Sequence, residues 1–318
     1  MIQLTRAATT RWIDSEHSDL DEAVAAFLEH IDDDDPTSNI YWRNWRAMKC
    51  FDQSQAINLN DREVQYNLLE CHYDQVSLGD GPEENRTSHK NLFIIVYHVG
   101  NSIQYIISQN SNAKKVLRKI LKYTGKMEII ENNFKFPSDF FVWLIHKIYM
   151  ADSIVESSDL ELMAIKSFKG NTEDFQTKVS AKGESVMNVL SILSFLLESR
   201  QLDQLTIEIR YSEHENINLV LRSGTVTIDF APYQGAYEED SSDSKLAKLY
   251  LLTYLEILPI LDQAYKSDKE DGTWDDSTLS KFSQNIAEDI RKRVNARLVA
   301  LSRQSDASEN VESETTGQ

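Results

Sequence analysis

The chain has 318 residues, 41% of them hydrophobic, and a formal net charge of −18. This composition is typical of a globular protein with a substantial core. The strong acidity excludes generic polyanion binding by the whole surface, because phosphates are repelled everywhere outside a local basic patch.

Two further features of the sequence bear on location. Residues 1–17 contain no apolar segment of the kind found in secretion signals, and no run approaches the ~18 consecutive apolar residues of a membrane span. The two cysteines, Cys50 and Cys71, form no CxxC pair, which argues against a disulfide framework and a cysteine zinc site. We therefore expect a cytoplasmic protein without membrane contact.

The first predicted element is a short acidic helix. Ser18 is a candidate N-cap, and Ala23 and Phe27 follow at helical spacing. The surrounding segment 14–35 contains ten acidic residues and no Lys or Arg. Its final run, 32–35, is interpreted as a solvated linker.

An aromatic and basic island follows, formed by Trp42, Arg43, Trp45 and Arg46. One hypothesis is that these side chains stack on and grip single-stranded nucleic acid, because aromatic rings supply stacking and arginines supply charge. A second is that they anchor a protein interface, where Trp and Arg are enriched. The structural alternative buries both tryptophans and lets the arginines reach solvent.

The next predicted elements are a β-hairpin and a basic helix. The apolar runs 91–97 and 102–108 flank Gly100, which predicts a hairpin in a sheet covered on both faces. The segment 111–126 is then predicted as a helix that ends at Gly125. It contains no acid and six basic residues, Lys114, Lys115, Arg118, Lys119, Lys122 and Lys126.

This basic helix is the strongest functional signal in the sequence. Its apolar residues lie on one face, and the basic residues form a stripe on the other. Such a stripe can bind phosphate oxygens as a non-specific nucleic-acid contact, or dock an acidic protein surface. The structural alternative is a solvated face, or internal pairing with the acidic segment 13–35.

The middle of the chain predicts a helix and a meander. Residues 185–200 are apolar nearly all round, which is typical of a buried helix. The runs 205–211, 217–222 and 225–230 alternate apolar and polar residues, which predicts antiparallel strands with one face wet. We expect the helix to cover the apolar face of this meander.

Two helices are predicted at the C-terminal end. Residues 245–266 form the first, kinked or split at Leu258 by Pro259. Residues 277–304 form the second, and residues 305–318 are expected to be disordered because they are acidic and lack periodicity. The apolar residues expected to face inward on the second helix are Leu279, Phe282, Ile286, Ile290, Val294 and Leu298.

Together these elements predict an α+β fold. An antiparallel meander covered by a buried helix follows an N-terminal β-hairpin and helix block, and two helices complete the chain. The predicted organisation is an N-terminal block, 1–150, a helix and meander block, 151–304, and the acidic tail. A single continuous domain, 1–304, is an equal alternative.

No motif of an enzyme is present. The chain contains no nucleotide-binding glycine loop, zinc-protease helix or nucleophile elbow. Glu208 and Arg210, with Asp203 nearby, resemble a carboxylate nuclease pattern only faintly, because an Arg stands where a Lys is expected. We assign no catalytic, cofactor-binding or metal-binding residue.

The leading hypothesis is therefore a non-enzymatic interaction or scaffold protein that self-associates or docks a partner. One alternative is a nucleic-acid-binding accessory subunit of a bacterial phage-defence module. It rests on an overall likeness in composition and on the missing catalytic motifs. Another alternative is a diverged metal-dependent nuclease.

Overall fold

The computed structural model describes residues 7–34, 38–109, 112–125, 127–155, 158–172, 178–182 and 199–315. Antiparallel sheets and helices make up this part of the chain, which confirms the predicted α+β class. The predicted helix 185–200 lies almost wholly outside the described residues, except for Ser199 and Arg200, which already belong to a strand.

The first sheet is built from the N-terminal part of the chain. Its strands are β1 (Thr10–Asp14), β2 (Ile40–Lys49), β3 (Gln55–Leu59), β4 (Arg62–Ser77), β5 (Thr87–Val99), β6 (Ser102–Ile107) and β7 (Ile129–Glu131). Their order is β2-β4-β5-β6-β1-β7, and β3 pairs with β4. The predicted hairpin at Gly100 is confirmed as β5 and β6, with Val99 opposite Ser102.

Two helices lie against this sheet, α1 (Leu20–Leu28) and α2 (Ala113–Ile120). Their apolar faces join one core cluster with the sheet, in which Phe27 and Leu117 have no exposed surface. The N-cap of α1 is Asp19 and not the predicted Ser18, since the Asp19 carboxylate accepts a hydrogen bond from Glu22 N at 2.9 Å.

The second sheet contains the predicted meander. Its strands are β8 (Leu160–Thr172), β9 (Lys178–Lys182), β10 (Ser199–Tyr211), β11 (His214–Arg222), β12 (Thr225–Asp229) and β13 (Gln234–Gly235). The order is β12-β11-β10-β8-β9, and β13 pairs with β11. The meander residues predicted to face inward on β10 and β11, such as Ile207 and Leu219, are completely buried.

The later helices are α3 (Ser138–Tyr149), α4 (Ser242–Leu252), α5 (Leu258–Glu270) and α6 (Asp276–Thr315). A π-helical segment, Thr253–Ile257, joins α4 to α5 directly before the predicted break at Leu258. Pro259 has no N–H to donate to the carbonyl of Leu255 four residues earlier. That carbonyl accepts a hydrogen bond from Asn60 Nδ2 at 3.0 Å instead.

The described chain divides into two compact units. The first contains residues 1–136, 154–161 and 208–262, and the second contains residues 137–153, 162–207 and 263–318. Both units draw on distant parts of the sequence. The division into 1–150 and 151–304 stays a prediction.

Within the second unit, α3 holds a buried ion pair. Lys147 Nζ lies 2.8 Å from an Asp152 carboxylate oxygen and 3.1 Å from one of Asp268. Burial alone would lower the pKa of Lys147, but hydrogen bonds to the two carboxylates outweigh it and raise the pKa. The ammonium group therefore stays charged, although only 8% of the residue is exposed.

We expect Lys147→Met to lower the free energy of unfolding by about 3–5 kcal/mol, because it leaves the Asp268 carboxylate without its cation. The matched control is Lys269→Met, since Lys269 pairs with Asp139 at 2.8 Å but both side chains are substantially exposed. Its expected cost is below about 1 kcal/mol. Urea denaturation of both variants checks this, and equal costs would contradict it.

Candidate interaction site

The basic helix predicted at 111–126 is present as α2 and the turn that follows it. Lys115 and Lys122 are exposed, whereas Lys114, Arg118 and Lys119 are half-buried. Lys126 lies outside the described residues. The apolar residues of α2 are buried in the core, so the predicted two-faced helix is observed.

Part of this basic stripe is paired with the acidic segment before β2. The ammonium group of Lys119 donates to the Asp34 carboxylate. Lys122 Nζ donates to Glu29 Oε2 at 2.8 Å, and this hydrogen bond lowers the pKa of Glu29. Among the alternatives that the sequence leaves open, internal pairing with the acidic segment 13–35 therefore applies to Lys119 and Lys122.

The aspartates of the predicted linker also cap the edge of the first sheet. Strand β2 lies at the end of the strand order, where outward N–H groups have no strand to pair with. Trp42 N donates to Asp34 Oδ2 at 2.7 Å, and Asn44 N donates to Asp33 Oδ1 at 3.0 Å. In return, Asp34 N donates to the carbonyl oxygen of Trp42 at 2.9 Å. Asp33 and Asp34 thus cap the sheet edge, which corrects the interpretation as a solvated linker for these two residues.

A β-bulge in β2 places both tryptophans on the core side. Residues 42 and 45 would face opposite ways in a regular strand, because successive side chains alternate. The register shifts between Arg43 and Arg46, and Asn44 adopts a positive φ of 56°. Trp42 and Trp45 are consequently 7% and 6% exposed. Asn is one of the few residues that tolerate this backbone conformation, and it is the signal that the sequence offered.

The tryptophan rings are covered by neighbouring side chains. Trp42 stacks on Tyr73 with 4.0 Å between ring centroids, and Lys119 Nζ lies 4.2 Å from the Trp42 centroid. Arg43 pairs with Glu83 at 2.7 Å, whereas Arg46 is exposed. The structure therefore brings α2 and the aromatic island together, with Asp34 between them, and offers little open ring surface for base stacking.

A cluster of hydrogen-bond donors surrounds Asp14 and was not predicted from the sequence. The carboxylate is 1% exposed and accepts hydrogen bonds from the hydroxyl groups of Tyr105 and Tyr123. His17 Nδ1 lies 2.9 Å from Asp14 Oδ2. Burial raises the pKa of Asp14, but these hydrogen bonds outweigh it and hold the pKa below its ordinary value. The four residues come from three segments that are far apart in sequence, so no motif could reveal the cluster.

The long helix α6 differs from its predicted packing. Phe282 and Ile286 are 2% and 1% exposed, but Val294 and Leu298 are 41% and 58% exposed. The prediction that Val294 and Leu298 face inward is therefore wrong. The cause is the length of the neighbouring helix, because α3 ends at Tyr149, which contacts Phe282 and donates to Asp289 at 2.5 Å.

The part of α6 that exposes Val294 and Leu298 is also basic. We define the outer segment of α6 as residues 290–304, which contain no acid and five basic residues, Arg291, Lys292, Arg293, Arg297 and Arg303. Val299 is a further exposed apolar residue here, at 50%. The positive charge of this segment is visible in the sequence, but the spacing of its apolar residues predicts core packing. The helix continues to Thr315, beyond its predicted end at Gln304.

The residues of the faint nuclease pattern do not form a metal centre in the structure. Arg210 donates to the carboxylate of Glu161. Among the residues that the structure describes, no three His, Cys, Asp or Glu side chains are grouped so as to hold a metal ion. None of the described helices combines the length and apolar character needed to cross a bilayer.

Comparison with protein-family models and with curated proteins finds no match to this chain.

The Asp14 cluster predicts a pH-dependent stability. We expect Asp14→Asn to lower the free energy of unfolding by about 2–3 kcal/mol at neutral pH, because the donors lose a charged acceptor. The pKa of Asp14 is lower in the folded state, so its contribution is complete above the unfolded pKa and is lost as the pH falls through the folded pKa.

The difference between the wild type and Asp14→Asn should thus shrink below about pH 4. Urea denaturation at several pH values measures it. Asp32→Asn is the control, because the Asp32 side chain is 99% exposed and should change stability little. A difference that stays constant across this pH range would refute the role given to the ionised carboxylate.

Proposed function

We propose that this is a non-enzymatic interaction protein whose contact surface is the outer segment of α6. Its partner is an acidic amphipathic helix of a protein. The observation that supports the proposal most is that the apolar stripe of α6 continues beyond the part of the helix that is packed in the core. It runs from buried Ile286 to exposed Val294 and Leu298.

The apolar part of this surface supports helix docking. Residues four apart lie on the same side of a helix, so Val294 and Leu298 extend the row that buries Ile286. Burial of one such side chain against a partner is worth about 1.5–3 kcal/mol. An amphipathic helix laid along this row is a recurrent mode of protein recognition.

The charge of the surface supports an acidic partner. Arg291 and Lys292 are exposed, and the Glu288 carboxylate lies 3.7 Å and 3.6 Å from them. Exposed pairs at such distances contribute little free energy, so Arg291 and Lys292 can also bind the carboxylates of a partner. This positive charge would raise the association rate of an acidic partner and fix its orientation.

The alternative hypotheses have less support. Nucleic-acid binding through α2 would have to displace the Asp34 and Glu29 carboxylates from Lys119 and Lys122. The outer segment of α6 also exposes apolar side chains, which phosphate binding does not use. The role as an accessory subunit of a phage-defence module stays a prediction, and so does the role as a diverged metal-dependent nuclease. The proposal includes a cytoplasmic location, supported by the free thiols of Cys50 and Cys71.

A synthetic acidic helix tests the proposal. The probe is a fluorescein-labelled amphipathic peptide with leucines at helical spacing and glutamates beside them, titrated with the full chain in low salt. We expect saturable binding that weakens about tenfold or more in Val294→Ser/Leu298→Ser, and likewise in Arg291→Glu/Arg297→Glu. Fluorescence anisotropy gives the Kd.

The matched control is Lys281→Glu, which reverses an exposed charge on the same helix outside the outer segment. It should bind the peptide nearly as the wild type does. Absence of binding, or binding unchanged by the Val294 and Leu298 substitutions, would overturn the proposal.

A duplex DNA of equal length is titrated in parallel. Tighter binding to DNA, insensitive to the same two substitutions, would favour the nucleic-acid alternative. Circular dichroism verifies that each variant folds.

A further inference from the structure

We infer that the acidic partner helix is the end of α6 in a second copy of this chain, with the two helices antiparallel. This inference rests on the proposed function and names its partner. It requires that α6 contain both a basic segment and an acidic segment, so that each can contact the opposite segment in the second copy.

The charges of α6 are divided in this way. The outer segment, 290–304, carries five basic residues and no acid. The rest of the helix, 305–315, has no Lys or Arg and contains four acids, Asp306, Glu309, Glu312 and Glu314. The helix therefore changes from basic to acidic near Gln304.

This division decides the direction of the two helices. Parallel helices in register would set the basic part of one copy against the basic part of the other, and acid against acid. Antiparallel helices set basic against acidic twice, once at each end of the contact. One such alignment places Arg291 opposite Glu314 and Val294 opposite Val311. The contact is self-complementary about a twofold axis, so it closes at a dimer.

The net charge of the chain makes this local complementarity necessary. Two copies of net charge −18 repel each other over the distances that salt leaves unscreened. The exposed side chains of Val294 and Leu298 favour association, and the basic segments attract the acidic ends of the opposite copy. Since the attraction is electrostatic, we expect the dimer to weaken in high salt.

Charge reversal in two halves tests the inference on the full chain. Arg291→Glu/Lys292→Glu/Arg297→Glu/Arg303→Glu leaves four acidic residues and one basic residue in 290–304, and Asp306→Lys/Glu309→Lys/Glu312→Lys/Glu314→Lys makes all four acidic positions of 305–315 basic. Sedimentation velocity between ~1 and ~100 µM, the range of a weak association, measures the mass in low salt. We expect a dimer for the wild type, a monomer for each variant alone, and a dimer for their equimolar mixture.

A monomeric wild type at the highest concentration would overturn the inference, and so would a dimer of either variant alone. A mixture that stays monomeric would also overturn it. Lys281→Glu is again the control and should remain dimeric. If the wild type is monomeric but still binds the acidic peptide, this inference fails while the proposed function stands. If the peptide does not bind either, both fail.

Discussion

The carboxylate of Asp34 joins the three parts of the first unit that carried the functional signal in the sequence. It accepts hydrogen bonds from the backbone of β2 and from Lys119, whose ammonium group lies over Trp42. The edge of the sheet, the basic helix and the aromatic island therefore depend on one acidic side chain. A negative charge at this point satisfies an edge N–H and compensates a lysine, so the acidic run has a structural reason.

This arrangement explains part of the charge segregation in the sequence. The acidic segment before β2 and the basic helix α2 lie far apart in sequence, yet they compensate each other in space through Asp34 and Glu29. In the outer segment of α6, by contrast, Arg291 and Lys292 are exposed and lie near Glu288 at 3.7 Å and 3.6 Å. For this reason we place the proposed contact surface on α6 and not on α2.

The elements that depend on local pattern were predictable. The runs of β-branched residues around Gly100 and the alternation in 205–230 specify β5, β6 and the meander, because a strand must turn one face to the core. The apolar spacing of Val116, Leu117 and Ile120 likewise specifies the buried face of α2. Such patterns are written in neighbouring residues, so a single sequence reveals them.

What the sequence could not reveal depends on distant residues or on one local irregularity. A bulge at Asn44 reverses the alternation that Trp42 and Trp45 would otherwise follow. The Asp14 cluster joins β1, β6 and the turn after α2. Periodicity shows that Val294 and Leu298 continue an apolar stripe, but it does not show how far the covering helix extends.

The exposed stripe of α6 presents a physical problem that a partner would solve. A helix in water gains most of its stability from packing of its apolar face, and this face of the outer segment is uncovered at Val294 and Leu298. An acidic helix alongside would cover the apolar row and place negative charge next to the exposed side chains of Arg291 and Lys292. The proposed contact would thus both stabilise the helix and select its partner.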